Sequence, residues 1–189
     1  MNSAENIWND ENLMEVLESN GVVVMPTDTL YGIVGKATNP STVNRIYDIR
    51  KRNRNKPCIV LIGSLSELEK FSVNLSEAQK NALKDHWPGP VSFVFDCNDD
   101  SLNYLHCGTQ TLAFRLPVPV TLRELLLKVG PLVAPSANIE ASPPAQSISM
   151  AKEYFGDLVD LYMDAGELQG YSSKVIKLHK DGSTTILRE

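Results

Sequence analysis

Apolar positions along the chain switch between helical and strand periods. From Asp10 to Asn20, Leu13, Val16 and Leu17 share one face and Gly21 follows as a stop, which predicts a helix. An unbroken apolar run, Val22-Val23-Val24-Met25, then ends at Pro26. So short a run predicts a buried strand, and the proline ends its ladder because it has no N–H to donate. Ser41 is placed to cap a helix running through Arg50, with Val43, Ile46 and Tyr47 inward. Residues 58–62 read as another buried strand. Ser64-x-x-Glu67 and Ser76-x-x-Gln79 are capping-box patterns that predict two more helices. Trp87-Pro88-Gly89-Pro90 reads as a turn into the strand Val91–Phe95.

From Thr111 to Leu116 the pattern alternates. Leu112, Phe114 and Leu116 face one way; Thr111, Ala113 and Arg115 face the other. Thr121-x-x-Glu124 is placed to cap a leucine-rich helix that ends at Gly130. Leu132-Val133-Ala134 then runs into Pro135-Ser136-Ala137-Asn138. Residues 148–155 read as helix, and Lys174–Leu178 and Thr184–Arg188 as a hairpin turning at Asp181-Gly182. Helices and strands alternate before that antiparallel hairpin. The expected fold is therefore one α/β domain over residues 1–189, on a twisted mixed parallel/antiparallel sheet flanked by helices.

Composition narrows the classes. The 189 residues suffice for one good core, and 42% hydrophobic with 22% charged residues is ordinary for a globular chain. A net charge of −5 argues against broad non-specific nucleic-acid binding but leaves room for a local basic site. Met1 to Asn6 shows no basic stretch leading into an apolar core, so no secretory leader is expected. No apolar run approaches membrane-spanning length. Three cysteines, with Cys58 inside an apolar run, predict no disulfide framework and suit a reducing cytoplasm. His86, Cys97, His106 and Cys107 lack paired zinc-ligand spacing, so no metal site is expected.

Three features carry candidate chemistry. Val24-Met25-Pro26-Thr27-Asp28-Thr29 and Val133-Ala134-Pro135-Ser136-Ala137-Asn138 share one pattern: strand, proline, small polar residues. Singly each is an ordinary turn. As a pair on one sheet they would open two hydroxyl-bearing loops together, at the strand ends where α/β sheets bind ligands. The second feature is Arg50-Lys51-Arg52-Asn53-Arg54-Asn55-Lys56, with five cations in seven residues of an acidic chain. It reads as a solvated helix end, as a targeting or nucleic-acid patch, or as an anion site, since guanidinium groups match phosphate and carboxylate oxygens. The third is Arg115, set mid-strand among apolar residues. It needs a partner, either a carboxylate such as Asp28 or a ligand carboxylate. Gly32-Ile33-Val34-Gly35-Lys36-Ala37 fails as a phosphate loop, because Leu30 and Ala37 replace the required glycine and Ser/Thr. No nucleophile-elbow motif is present, and Ser136 has no histidine partner in motif context.

Taken in order, Pro26-Thr27-Asp28-Thr29-Leu30-Tyr31-Gly32, the basic run ending at Lys56-Pro57, Trp87-Pro88-Gly89-Pro90, Arg115-Leu116-Pro117 and Pro135-Ser136-Ala137-Asn138 resemble YrdC-type threonylcarbamoyl-AMP synthases. The resemblance runs from about Asn20 to Arg188. It implies a concave, positively charged cleft and a nucleotidyltransferase reaction. L-Threonine, bicarbonate and ATP, with Mg2+, would give threonylcarbamoyl-AMP and pyrophosphate. The product would feed tRNA threonylcarbamoyladenosine modification through a partner transferase.

By the same resemblance, Arg50, Arg52 and Lys56 would face the ATP phosphates, and Thr111, Asn138 and Arg188 would contact the nucleotide. Thr29, Arg115, Ser136 and Ser173 would surround the threonine and carbamoyl group, with Tyr31 walling the pocket. Arg52, Lys56, Ser136 and Asn138 would act nearest the chemistry, and Arg52→Ala and Asn138→Ala would each slow the reaction with little loss of stability. Some positions depart from the family pattern. Arg50-Lys51-Arg52-Asn53 stands for Lys-x-Arg-Pro, Glu140-Ala141 for a Ser-Gly pair, and Lys174 for a threonine. With the resemblance ending near Arg188, the C-terminal domain of the longer family branch is not expected. Two other readings belong to the same resemblance. One is a relative that binds tRNA or double-stranded RNA during tRNA or ribosome maturation. The other is the sister carbamoyl-transfer activity of hydrogenase maturation factors, whose chains carry further modules.

Overall fold

The computed structural model describes residues 7–189 and shows a nine-stranded mixed sheet with helices on both faces. The Met1–Asn6 stretch read above for a leader lies outside the described residues. Helix α1 (Glu11–Glu18) is capped by the Asp10 carboxylate, which accepts from the Leu13 amide. Strands β1 (Val23–Pro26) and β2 (Tyr31–Lys36) form an antiparallel hairpin, followed by α2 (Pro40–Ile49) and β3 (Ile59–Leu61). A 3-10 helix (Leu65–Phe71) and α3 (Glu77–Leu83) lead to β4 (Val91–Asp96). Next come a short α4 (Asn103–His106), β5 (Thr111–Arg115), α5 (Val120–Val129) and β6 (Leu132–Val133). The chain closes with α6 (Ile148–Phe155), β7 (Leu161–Tyr162), β8 (Lys174–Leu178) and β9 (Thr184–Arg188).

The strand order is β7-β1-β2-β6-β3-β5-β4-β8-β9. The pairs β1/β7, β3/β5 and β4/β8 are parallel, and the others antiparallel. Antiparallel pairing is thus spread through the sheet rather than confined to the closing hairpin. Alternate residues from Val22 into β1 explain the two-sided burial. Val22 and Val24 join a large core with α2 and the aromatic rings Phe71, Phe93, Phe95 and Phe114. Val23 and Met25 join a second core with Leu13 and Leu17 of α1 and Leu122, Leu125 and Leu126 of α5. Each buried leucine contributes about 1.5–3 kcal/mol. Among the described residues, no helix is long and apolar enough to cross a membrane.

Several local expectations change. Strand β2 was not expected, because Gly32 and Gly35 weaken a strand pattern. Both glycines admit neighbours that a side chain would exclude: a Cβ on Gly32 would press on Thr27 Cγ2, and one on Gly35 would collide with Thr42 Cγ2. Asn39, not Ser41, caps α2, accepting from the Thr42 amide one residue before Pro40. The Ser76/Gln79 box forms, whereas at Ser64 the Glu67 carboxylate instead takes the Gly63 amide and a 3-10 helix results. Helix α5 begins at Val120 with no side-chain cap, and Thr121 Oγ1 is buried without a partner. Finally, residues 163–173 carry the chain from β7 at one sheet edge across to β8 near the other, without helix or strand.

Candidate active site

The echoing loops do meet. The Thr27–Leu30 turn leaves β1, and Ala134–Asn138 leaves β6, and backbone bonds tie them through Ile33 N to Pro135 O (3.0 Å) and Ala137 N to Tyr31 O (2.8 Å). Within the first turn, Thr27 Oγ1 donates to Leu30 O (2.7 Å). Beside these loops lies a cavity of about 310 Å³. Its floor is built across neighbouring strands: Ile59 of β3 pairs with Ala113 of β5, which pairs with Val94 of β4, and Val175 of β8 continues the surface. This is the face of β5 opposite Leu112 and Phe114, as its alternation requires. The site therefore opens on the face of the sheet as well as at the strand ends.

Three guanidinium groups line the cavity: Arg52, Arg115 and Arg188. Burial, and then the charges of Arg115 and Arg52, pull the Arg188 pKa below its usual value. Arg188 is held by Ser173 O through Nε and Nη2 (3.1 and 2.7 Å), and Ser173 Oγ bonds Ser92 Oγ (2.9 Å). Arg52 reaches back to Lys56 O (3.0 Å) and Pro57 O (3.1 Å). Arg115 is paired with Asp28, Nη2 to Oδ1 at 2.7 Å, with only 4% and 3% of the two side chains exposed. Its Nε also reaches both Asp28 oxygens, and Nη2 reaches Thr29 Oγ1 (3.3 Å). Among the described residues, Arg115 Nη1 has no hydrogen-bond partner. Both readings of Arg115 thus find room: Asp28 takes one edge of the guanidinium and leaves the other for a ligand.

Of the residues singled out from the sequence, Thr29, Tyr31, Arg52, Thr111, Arg115, Ser136, Ser173 and Arg188 line the cavity together. Arg50, Lys56 and Asn138 stand behind its wall. Arg50 is 2% exposed; its Nε donates to Asn138 O (3.0 Å) and its Nη2 to Asn138 Oδ1 (2.9 Å), while Nη1 is buried without a partner. Burial, then the nearby Arg52 charge, lowers its pKa to about 10. Asn138 also accepts from Ser136 Oγ (2.6 Å) and donates to Ile139 O and Ser142 O. Lys56 turns outward to Glu140, Nζ to Oε1 at 2.8 Å. Sequence reading missed the apolar floor, although Ala113 between Thr111 and Arg115 already marked that face. Among the described residues, no group of three or more His, Cys, Asp or Glu side chains is placed to hold a metal ion.

The Tyr31 hydroxyl has a structural task. It donates to Gly166 O (2.7 Å) and accepts from the Ala165 amide (2.8 Å), pinning the crossing segment over the site. Gly170 of that segment lies against Thr29 O so closely that any side chain there would collide. Burial, followed by the Asp164 charge, raises the Tyr31 pKa. Tyr31→Phe is expected to free residues 164–166, leaving the Ala165 amide without its acceptor, at about 1–3 kcal/mol. Amide hydrogen exchange reads it: faster exchange confined to this segment is expected, and unchanged exchange at Ala165 contradicts it.

Hydroxyl-bearing loops from β1 and β6 and an arginine-lined cavity on the face of a mixed sheet mark an α/β protein with a cationic pocket. The Sua5/YciO/YrdC family model, described as "Telomere recombination", matches residues 15–189, and the chain belongs to this family. A Mycobacterium leprae relative is 32% identical over 173 residues, covering 91% of this chain and 78% of that protein. The threonylcarbamoyl-AMP synthase of Bacillus subtilis is 32% identical over 154 residues, 80% of this chain and 44% of its own. The crystal structure of Pyrococcus abyssi Sua5 complexed with L-threonine superposes with a TM-score of 0.85 at 28% identity. That match covers 96% of this chain and 54% of the Pyrococcus chain, so this chain spans about half its length.

Proposed function

We propose that this protein is a threonylcarbamoyl-AMP synthase, a transferase of the nucleotidyltransferase kind. The observation that carries the reading is one cavity in which Arg52, Arg115 and Arg188 converge with the hydroxyls of Thr29, Ser136 and Ser173 above an apolar floor. L-Threonine, bicarbonate and ATP are all charged, and three cations suit their company.

Threonine's neutral amine first forms an N–C bond to bicarbonate with loss of water, or to carbon dioxide with loss of a proton to solvent, giving a carbamate. A carbamate oxygen then attacks the α-phosphorus of ATP. That P–O bond forms as the bond from the α-phosphorus to the bridging oxygen breaks, and pyrophosphate leaves with the electron pair. No protein nucleophile is needed; holding the partners in line and offsetting charge does most of the work. Arg52 and Arg188 face the polyphosphate, and Arg115 offers Nη1 to the threonine carboxylate. Thr29, Ser136 and Ser173 hydrogen-bond the amino acid and carbamate. Val94, Ala113, Val175 and Leu187 give the nucleobase an apolar surface beside Thr111. Magnesium enters with ATP as part of the substrate, bound to phosphate oxygens and water. A separate transferase would carry the product's threonylcarbamoyl group to tRNA.

The test is pyrophosphate release with Mg-ATP, L-threonine and bicarbonate. Release that requires both threonine and bicarbonate is expected. Release indifferent to threonine, or none, refutes the reading.

A further inference from the structure

Glu140 joins two loops that the chemistry above treats separately. Its backbone N–H donates to Arg50 O (2.9 Å), Oε2 accepts from the Asn53 amide (2.5 Å), and Oε1 accepts from Lys56 Nζ (2.8 Å). One residue on the Ser136–Asn138 loop thus grips the basic run at its start, middle and end. We propose that Glu140 is a positioning residue that holds the 53–56 turn and thereby sets Arg52 toward the nucleotide phosphates; the proposal rests on the synthase reading above.

The path is short and physical. Asn53 O accepts from the Lys56 amide (3.1 Å), and Asn53 Oδ1 from the Asn55 amide (2.9 Å), so the turn closes on Asn53. Lys56 O then accepts from Arg52 Nε (3.0 Å), and Pro57 O from Arg52 Nη2 (3.1 Å). Arg52 is therefore aimed by carbonyls at the far end of the turn that Glu140 fixes. Its alignment depends on where Lys56 O sits, and that oxygen is held from two sides: by the Tyr47 hydroxyl of α2 (2.9 Å) and by the turn that closes on Asn53.

Two departures from the family pattern become one in space. A proline at 53 would order the turn through its fixed φ and would have no N–H to donate. Asn53 restores that N–H and loosens the backbone, and Glu140 supplies the acceptor. The Glu140 carboxyl is held below the usual carboxylate range by the Lys56 ammonium first and the Asn53 amide second, so it stays ionised at neutral pH. The bland reading is a surface ion pair of little consequence, since the Lys56 side chain is 60% exposed. The contact that matters is the backbone amide, which a neutral acceptor also satisfies.

Glu140→Ala, Glu140→Gln and the double variant Glu140→Ala with Asn53→Pro separate these readings. For Glu140→Ala we expect the KM for ATP to rise about tenfold, equivalent to about 1.4 kcal/mol. kcat should stay within about twofold, with the threonine KM unchanged. Glu140→Gln keeps an oxygen for the Asn53 amide and should behave as wild type. Asn53→Pro should rescue Glu140→Ala. A second readout needs no turnover: trypsin should cut after Arg52 and Arg54 about tenfold faster in Glu140→Ala than in wild type or Glu140→Gln. Cleavage spread over the whole chain would instead mark global unfolding and count against a local latch. The proposal is overturned if Glu140→Ala keeps the wild-type tryptic rate or ATP affinity, or if Glu140→Gln is as impaired as Glu140→Ala. If wild type shows no threonine-dependent turnover, the synthase reading fails by itself. The tryptic comparison and calorimetric ATP titration then decide the latch.

Discussion

Asp28→Ala is expected to destabilise the protein by about 3–5 kcal/mol, because it leaves the Arg115 guanidinium buried without its carboxylate. Only Thr29 Oγ1, at 3.3 Å, would remain against Nη2. In urea the unfolding midpoint should fall by about 2 M for a chain of ordinary denaturant sensitivity. Asp28→Asn keeps an acceptor and loses the charge, so it should fall between. A midpoint for Asp28→Ala close to wild type would show that Arg115 does not depend on this pair. The pair also bears on function. Asp28 balances Arg115 before any ligand arrives, so a ligand carboxylate completes a half-satisfied guanidinium rather than rescuing a bare charge.

Arg52→Ala should do the opposite, leaving stability nearly intact and lowering kcat/KM by about 10²–10³, the usual scale for removing one preorganised charge donor. Arg52 lines the cavity and its own bonds go to carbonyls of a loop. Asn138 makes the instructive contrast. The sequence reading expected Asn138→Ala to spare stability, but Asn138 accepts from Arg50 and Ser136 and bridges to Ile139 and Ser142. Alanine keeps the backbone oxygen for Arg50 Nε but removes the Oδ1 acceptor of Nη2, on a buried arginine that already has one orphaned nitrogen, and about 2–4 kcal/mol of stability should go with the activity. Denaturation curves and pyrophosphate assays on the two variants, run together, check both. Equal midpoints for the two would remove the distinction between an anion-facing cation and a scaffold.

Much of this was legible in the chain because local chemistry carries it. The Asp181-Gly182 hairpin and its strands appear with the predicted bounds, and the strict alternation of Thr111–Arg115 places the cavity face. What stayed hidden is non-local. Strand β2 is a strand because Val23–Pro26 and Leu132–Val133 lie on either side of it, which no window over Tyr31–Lys36 reveals. Charge pattern grouped Arg50, Arg52 and Lys56, yet only Arg52 lines the cavity. Arg50 sits at the C-cap of α2 and turns inward, and Lys56 follows a turn that points it at Glu140. A run of like charges reports the sign of a site, whereas its members' directions depend on the backbone between them.

The crossing segment over the site carries a consequence for how the molecule is made. Six strands separate β7 from β8 in the sheet, which is about 34 Å of flat sheet at normal strand spacing. Residues 163–173 are all that spans it, and eleven residues reach about 36–40 Å fully drawn out. The link can lie down only after the strands beneath have paired, and Gly170 can seat only on a finished Thr27–Leu30 turn. The cavity wall at Ser172 and Ser173 therefore depends on strands and a turn far from it in sequence. Without that segment in place the cavity would keep Arg52, Arg115, Thr29 and Ser136 and lack the wall formed by Ser172 and Ser173.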